Sequence, residues 1–464
     1  MKISTRIRFR KIAVILIIVS LAGIAIQFIP PRVSNPPVTG TLTAPPEVME
    51  IYKRACYDCH SNETKLKWFD KIAPASWVVA GDVNEARSRF NFSNWDSLSV
   101  SAQQGIIWES INEMAEGKMP LKNYTALHPE ALISLGDIEI LKSYANTLSN
   151  NKPVDTVAIF ASVKAAEEEF QLYRRRNAVP SNPAPVALDG VGYISGYQQW
   201  QVLTTPNRFD NYTIRVLYGN DIAVKALKEN NINPFPDGAA VVKIVWNKIV
   251  DKDGNVRPGT FSSAQIMTKD ARRYQQTGGW GFAIFNGLRL TPGGNTASFA
   301  TTCFNCHKDL AAGTGYIFDV PLRNSDLPGA ARLSDNPSET REMFDAGNQE
   351  VIAPSMNQKQ GTVSVLYGNH AARQTAIDSA GRHKEGEVYT LATWEQVNDL
   401  HWYGSNINGR LKSVERVSVV PSSTGVDIEY KLVNGAQPVD VDGHAFAPKD
   451  RISFMLNQRA AVFP

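Results

Sequence analysis

The chain has little of what redox and metal chemistry uses: 4 cysteines and 7 histidines in 464 residues. No cysteine is left over for a lipid anchor, and neither cysteine pair has the further Cys or His ligands nearby that zinc would want. An excess of one charge is lacking as well. The net charge is +3, and Lys2, Arg6, Arg8, Arg10 and Lys11 supply more than all of it. The remainder is slightly acidic, so no nucleic-acid partner is expected. Hydrophobic residues at 43% and charged residues at 20% describe an ordinary globular protein, long enough for about three domains.

The few cysteines are all placed in two Cys-x-x-Cys-His motifs, Cys56-Tyr-Asp-Cys59-His60 and Cys303-Phe-Asn-Cys306-His307. That pattern marks covalent attachment of c-type haem, with the two thiols on the vinyl groups and the histidine as the proximal iron ligand. A thioredoxin-like redox pair, a zinc site or two disulfides are the alternatives. Two haems are expected, with Cys56, Cys59, Cys303 and Cys306 binding the cofactor and His60 and His307 binding iron.

The five N-terminal charges precede an apolar run from Ile12 to Ile29, broken by Ser20, Gly23 and Gln27. Its length predicts a transmembrane helix, with a cytoplasmic N-terminus and the haem domains held in the bacterial periplasm at the inner membrane. A cleaved signal peptide, with Gly23 and Ala25 near the cut, is the competing reading.

Residues 46–150 read as helical. Ser101 with Gln104 predicts a capping box, Ile107, Ile111 and Met114 keep helical spacing, and Gly117 stops the helix. Further helices are expected over about 129–148 and 155–176. From Pro180 the texture turns β-branched and aromatic, as in residues 212–218, 239–246, 280–285 and 316–320. A connector follows, with one short helix expected over 338–344. An internal repeat is visible: Val216-Leu-Tyr-Gly-Asn220 recurs as Val365-Leu-Tyr-Gly-Asn369, and Asp237-Gly238 leading to Trp246 recurs as Glu385-Gly386 leading to Trp394. In register Lys243 becomes Leu391 and Arg215 becomes Ser364, and the second copy has no cysteine.

For the first haem, Met119 in Gly117-Lys-Met-Pro120 is the expected distal ligand, with Met114 and His128 as competitors. Beside the second motif, Lys243 lies mid-strand on the face of Val241 and Val245. Desolvation among apolar neighbours would favour its nucleophilic amine. An edge-strand lysine pointing to water is the alternative.

Residues 46–148 resemble the small haem-binding domain family of exported bacterial proteins through residues 56–64, Ile72-Ala-Pro-Ala-Ser-Trp77, Asn91-Phe-Ser-Asn-Trp95 and Gly117-Lys-Met-Pro120. Residues 197–320 resemble cytochrome P-460 through Gly196-Tyr-Gln-Gln-Trp200, residues 208–220, Asp237-Gly-Ala-Ala-Val-Val-Lys243, Gly278-Gly-Trp-Gly281 and the second haem motif. The second resemblance implies a haem cross-linked to Lys243, Arg215 by the haem pocket, and hydroxylamine oxidation at an open iron. It also implies a carboxylate where this chain has Gln265.

An α+β multidomain protein is therefore expected: tail and anchor 1–30, linker 31–45, helical c-type haem domain 46–150, connecting helix 151–179, P-460-like haem domain 180–325, linker 326–354, and a haem-free repeat 355–464. Its partners would be a small nitrogen compound or gas ligand, an electron-acceptor protein, the membrane, and further copies of itself in a homo-oligomer. A nitric-oxide-binding or purely electron-carrying cytochrome is the alternative function.

Overall fold

The computed structural model describes residues 3–29, 33–150, 156–176, 184–294, 296, 299–321, 342–378, 382–399, 401–423, 425–440 and 442–464. The chain forms two compact units, 1–146 and 147–464.

The first unit is helical. Helix α1 (Ile3–Ala25) gives way to a 3₁₀ turn at Ile26. Among the described residues no helix is long and apolar enough to cross a membrane. Beyond Lys11 the helix retains Ile12 to Ala25, about 21 Å against a hydrocarbon core of about 30 Å. The end of the apolar run bonds to the haem domain. The Gln27 amide exchanges two hydrogen bonds with the Ala73 backbone, at 3.1 and 2.9 Å, and the Trp77 indole donates to the Ile29 carbonyl.

Helices α2 (Pro46–Ala55) and α3 (Tyr57–His60) carry the first haem motif, followed by α4 (Ala75–Arg89). Helix α5 (Val100–Ala115) is capped by Ser99, which accepts from the Ala102 amide, rather than by Ser101. Ser99 has the extended backbone a cap needs, and Gln103, not Gln104, reaches back to the Trp95 and Leu98 carbonyls. Gly117 ends the helix with φ +65°, and the Lys118 amide returns to the Glu113 carbonyl. Helices α6 (Lys122–Leu127) and α7 (Leu135–Asn150) follow, and α7 starts later than the expected 129 because Pro129–Ala131 forms a separate 3₁₀ turn.

The second unit opens with α8 (Thr156–Arg176) and builds one antiparallel twelve-stranded sheet. The first half is β1 (Gln201–Thr204), β2 (Asn207–Arg208), β3 (Thr213–Gly219), α9 (Asp221–Lys228), β4 (Ala240–Val250), β5 (Asn255–Lys269), β6 (Trp280–Asn286), β7 (Thr291–Pro292) and α10 (Phe299–Leu310). The second half is β8 (Glu350–Asn357), β9 (Thr362–Gly368), α11 (His370–Asp378), β10 (Val388–Asn398), β11 (Ser405–Ser422), β12 (Gly425–Gly435) and α12 (Pro448–Leu456). The helix expected over 338–344 lies largely outside the described residues.

The register reproduces the repeat. Leu217 faces Lys243 across β3 and β4, and Leu366 faces Leu391 across β9 and β10. Arg215 faces Val245, while Ser364 faces Thr393. The halves are fused into one sheet through the β2–β11 and β5–β8 pairings. Trp246, Trp394, Tyr218 and Tyr367 are fully buried in their shared core.

Candidate haem sites

In the first unit, Cys56 and Cys59 flank the start of α3, and His60 ends it, buried and stacked on Phe90 with ring centroids 4.1 Å apart. Asp58, inside the motif, accepts from the Lys65 amide and from the Tyr124 hydroxyl, each at 2.8 Å. Burial pushes both thiols up to about 12, which is the reverse of the acidic thiolate that a redox pair needs. Neither pair forms a disulfide. Among the described residues neither pair belongs to a group of three or more ligating side chains. These features fit vinyl attachment better than zinc or redox cycling.

Met119 is half-buried just past α5, its amide tied to the Glu113 carbonyl. Met114 is core. His128 is buried with Nε2 3.2 Å from Asp70 and Nδ1 3.5 Å from Glu130, and it stacks on Tyr124. Both of its nitrogens thus face carboxylates, a structural role.

In the second unit, α10 carries Cys303, Cys306 and His307, and Cys303 and His307 line a cavity against the sheet. The facing wall is the sheet: Leu217 on β3, Val241 and Lys243 on β4, Gln265 and Met267 on β5, Phe282 and Ile284 on β6. Strand β4 pairs on both sides, with β3 and β5, so the edge-lysine reading of Lys243 falls. Two glycines allow the approach. A Cβ at Gly278 would lie 2.8 Å from Phe304, and one at Gly315 would lie 2.1 Å from the Ile232 carbonyl; both residues have positive φ.

The Tyr316–Val320 segment was expected to be a strand, but it is a loop in which Tyr316 and Asp319 take φ of +73° and +60°. The loop holds His307. Its Nδ1 donates to the Tyr316 carbonyl at 2.6 Å, which leaves the Nε2 lone pair free for a metal. The imidazole sits edge-on to Phe318 and Phe282, and burial lowers its pKa to about 4, so it is neutral as a ligand must be. The donor set and cavity fit a c-type haem.

Burial, then Arg215, bring the Lys243 amine down to about 7. Arg215 is buried, donates from Nε to Thr213 at 3.1 Å, and lies 3.9 Å from the Asp319 carboxylate. Gln265 sits opposite Lys243 in register, its amide 3.4 Å from Ser263. In the second half that position is Glu415, opposite Leu391 and fully engaged by Arg451 and Tyr430.

Beside this wall lies a set of buried charges of which the sequence reading named only Arg215: Arg208 with Asp210, Arg215 with Asp319, and Asp399 from the loop after β10. Trp402 of the same loop donates to Asp210 at 2.9 Å and lies under the Arg208 guanidinium. Only burial of charge marks these residues, and no local pattern announces it.

A comparison with curated proteins finds no match. Residues 21–147 match the haem-binding domain family, and residues 194–319 match the cytochrome P460 family. The chain therefore joins a haem-binding domain, in its helical unit, to a cytochrome P460 domain in the first half of its β-sheet unit.

Proposed function

We propose that this is a diheme c-type cytochrome that oxidises hydroxylamine at the His307 site and passes electrons to a haem on Cys56 and Cys59, then to an acceptor protein. The observation that carries the reading is the placement of the Lys243 amine in the same cavity as Cys303 and His307. Haem iron supplies the position at which a small nitrogen compound binds and gives up electrons. With its pKa brought down to about 7, Lys243 would offer a partly uncharged amine to a bound haem, as a cross-link requires. Leu217, Val241, Phe282 and Ile284 give the cavity an apolar lining suited to the face of a haem.

Consuming two hydroxylamines to give nitrous oxide and water releases four protons and four electrons. A proton acceptor is needed, and Gln265 is a poor one. That observation, with the Met267 thioether in the same cavity as a potential sixth ligand, favours a second reading: a nitric-oxide-binding or electron-carrying cytochrome. Export from the cytoplasm is supported by the two haem motifs and by the basic residues ahead of the apolar run. Peptide mass mapping of purified holoprotein tests the reading: a haem peptide joining Cys303 and Cys306 to Lys243, with hydroxylamine-dependent reduction, supports it. Two unlinked haems that hydroxylamine does not reduce would overturn it.

A further inference from the structure

One loop of the cysteine-free half reaches the buried charges of the cytochrome P460 half. Strand β11 begins by pairing Ser405 with Arg208 of β2, which seats Asp399 and the segment from His401 to Ser405 over those charges. The loop is stapled to itself, since the Asp399 amide donates to the Ser405 carbonyl at 3.0 Å and the Asp399 carboxyl accepts from the His401 amide at 2.9 Å. Ser405 then donates to Asp319 at 3.0 Å. The Trp402 ring packs edge-on against Phe318, the residue against the proximal His307.

Asp319 and Asp399 are both buried, and one oxygen of each, Oδ2, has no hydrogen-bond donor. A buried carboxylate oxygen without a donor is costly, and the nearest guanidinium nitrogen, Arg215 Nη1, stands 3.9 Å from Asp319 Oδ2, beyond hydrogen-bond reach. Ser405 brings the two residues together, its hydroxyl donating to Asp319 and its carbonyl accepting from the Asp399 amide, each at 3.0 Å, so one proton held between the two unpartnered oxygens would satisfy both. Its position is decided by the neighbours. Arg208 and Arg215 outweigh burial at Asp319 and hold it ionised, whereas burial and the Asp319 charge push Asp399 well up. Arg208 is matched by Asp210, and Lys243, His307 and His401 are further titratable groups near the pair.

We propose that the haem-free repeat is a working part of the haem site: Asp399, as a neutral acid, donates to Asp319 and holds it as the counter-charge to Arg215 beside the haem pocket. Asp399 is thus a positioning residue. The inference rests on haem being held by His307.

Potentiometric titration of the full-length holoprotein, following the His307 haem with the N-terminal haem as internal reference, tests it. Asp399→Asn keeps both the neutral charge and the donor, so the midpoint potential stays at the wild-type value. Asp319→Asn removes a buried negative charge and raises the potential. Infrared spectra of the wild type show a protonated-carboxyl band that shifts in heavy water and is lost in Asp399→Asn. Equal shifts in potential from the two asparagine variants, or no protonated-carboxyl band, would overturn the proposal. If the wild type carries no haem at Cys303 and Cys306, it is the proposed function that fails, and the infrared band still reads the carboxyl pair.

Discussion

His307 Nδ1 donates to the Tyr316 carbonyl at 2.6 Å, nine residues along the chain. The bond requires the left-handed backbone at Tyr316, and it selects the tautomer whose Nε2 lone pair faces the cavity. His307→Gly should therefore lose the axial bond while leaving the thioether links, and added imidazole should restore it. Absorption spectra with and without imidazole check this; a spectrum unchanged by the substitution would remove His307 as ligand.

Leu391 occupies in the second half the place Lys243 holds in the first, so the sheet tolerates leucine there. Lys243→Leu should fold and bind haem at Cys303 and Cys306, yet show no lysine–haem peptide by mass spectrometry.

The same amine gives a pH dependence. With its pKa brought down to about 7, Lys243 carries a free lone pair above that pH and is an unreactive ammonium below it. Cross-linking during haem incorporation should rise through pH of about 7 and then level off. The unfolded lysine keeps its ordinary value near 10.5, so between these limits the unfolded state binds more protons. The uncross-linked domain should gain stability as pH rises across that window and none below it, which denaturant titrations at several pH values would read.

Gln265 faces Lys243 where a proton acceptor would serve hydroxylamine oxidation. Gln265→Glu should raise turnover, roughly a hundredfold if the carboxylate acts as a general base. Steady-state rates with hydroxylamine check this, and a fall in rate would favour gas binding or electron transfer.

In the first unit, Met119→Leu should open the haem to carbon monoxide and lower its reduction potential, since a thioether ligand raises it. His128→Asn should leave the spectrum unchanged and cost about 1–3 kcal/mol in stability by weakening the partner of buried Asp70. The opposite pattern would make His128 the ligand.

Much of this was legible in the sequence because it rests on local spacing. The haem motifs, the face shared by Val241, Lys243 and Val245, and the repeat register each need only a few neighbouring residues. Three features were not legible. Tyr316–Val320 has strand composition, yet its two left-handed residues serve the His307 contact. The end of the apolar run carries no local sign that Gln27 and Ile29 bond to Ala73 and Trp77, more than 40 residues away. The pairing of Asp319 with Asp399 spans 80 positions, and nothing local to either residue foretells it.

The most direct test of the account is the reduced-minus-oxidised absorption spectrum of the purified holoprotein, recorded with and without hydroxylamine. The account predicts one ordinary c-type haem and one strongly red-shifted band from a lysine-linked haem, with hydroxylamine alone producing the reduced state. Two ordinary c-type spectra, unchanged by hydroxylamine, would contradict it.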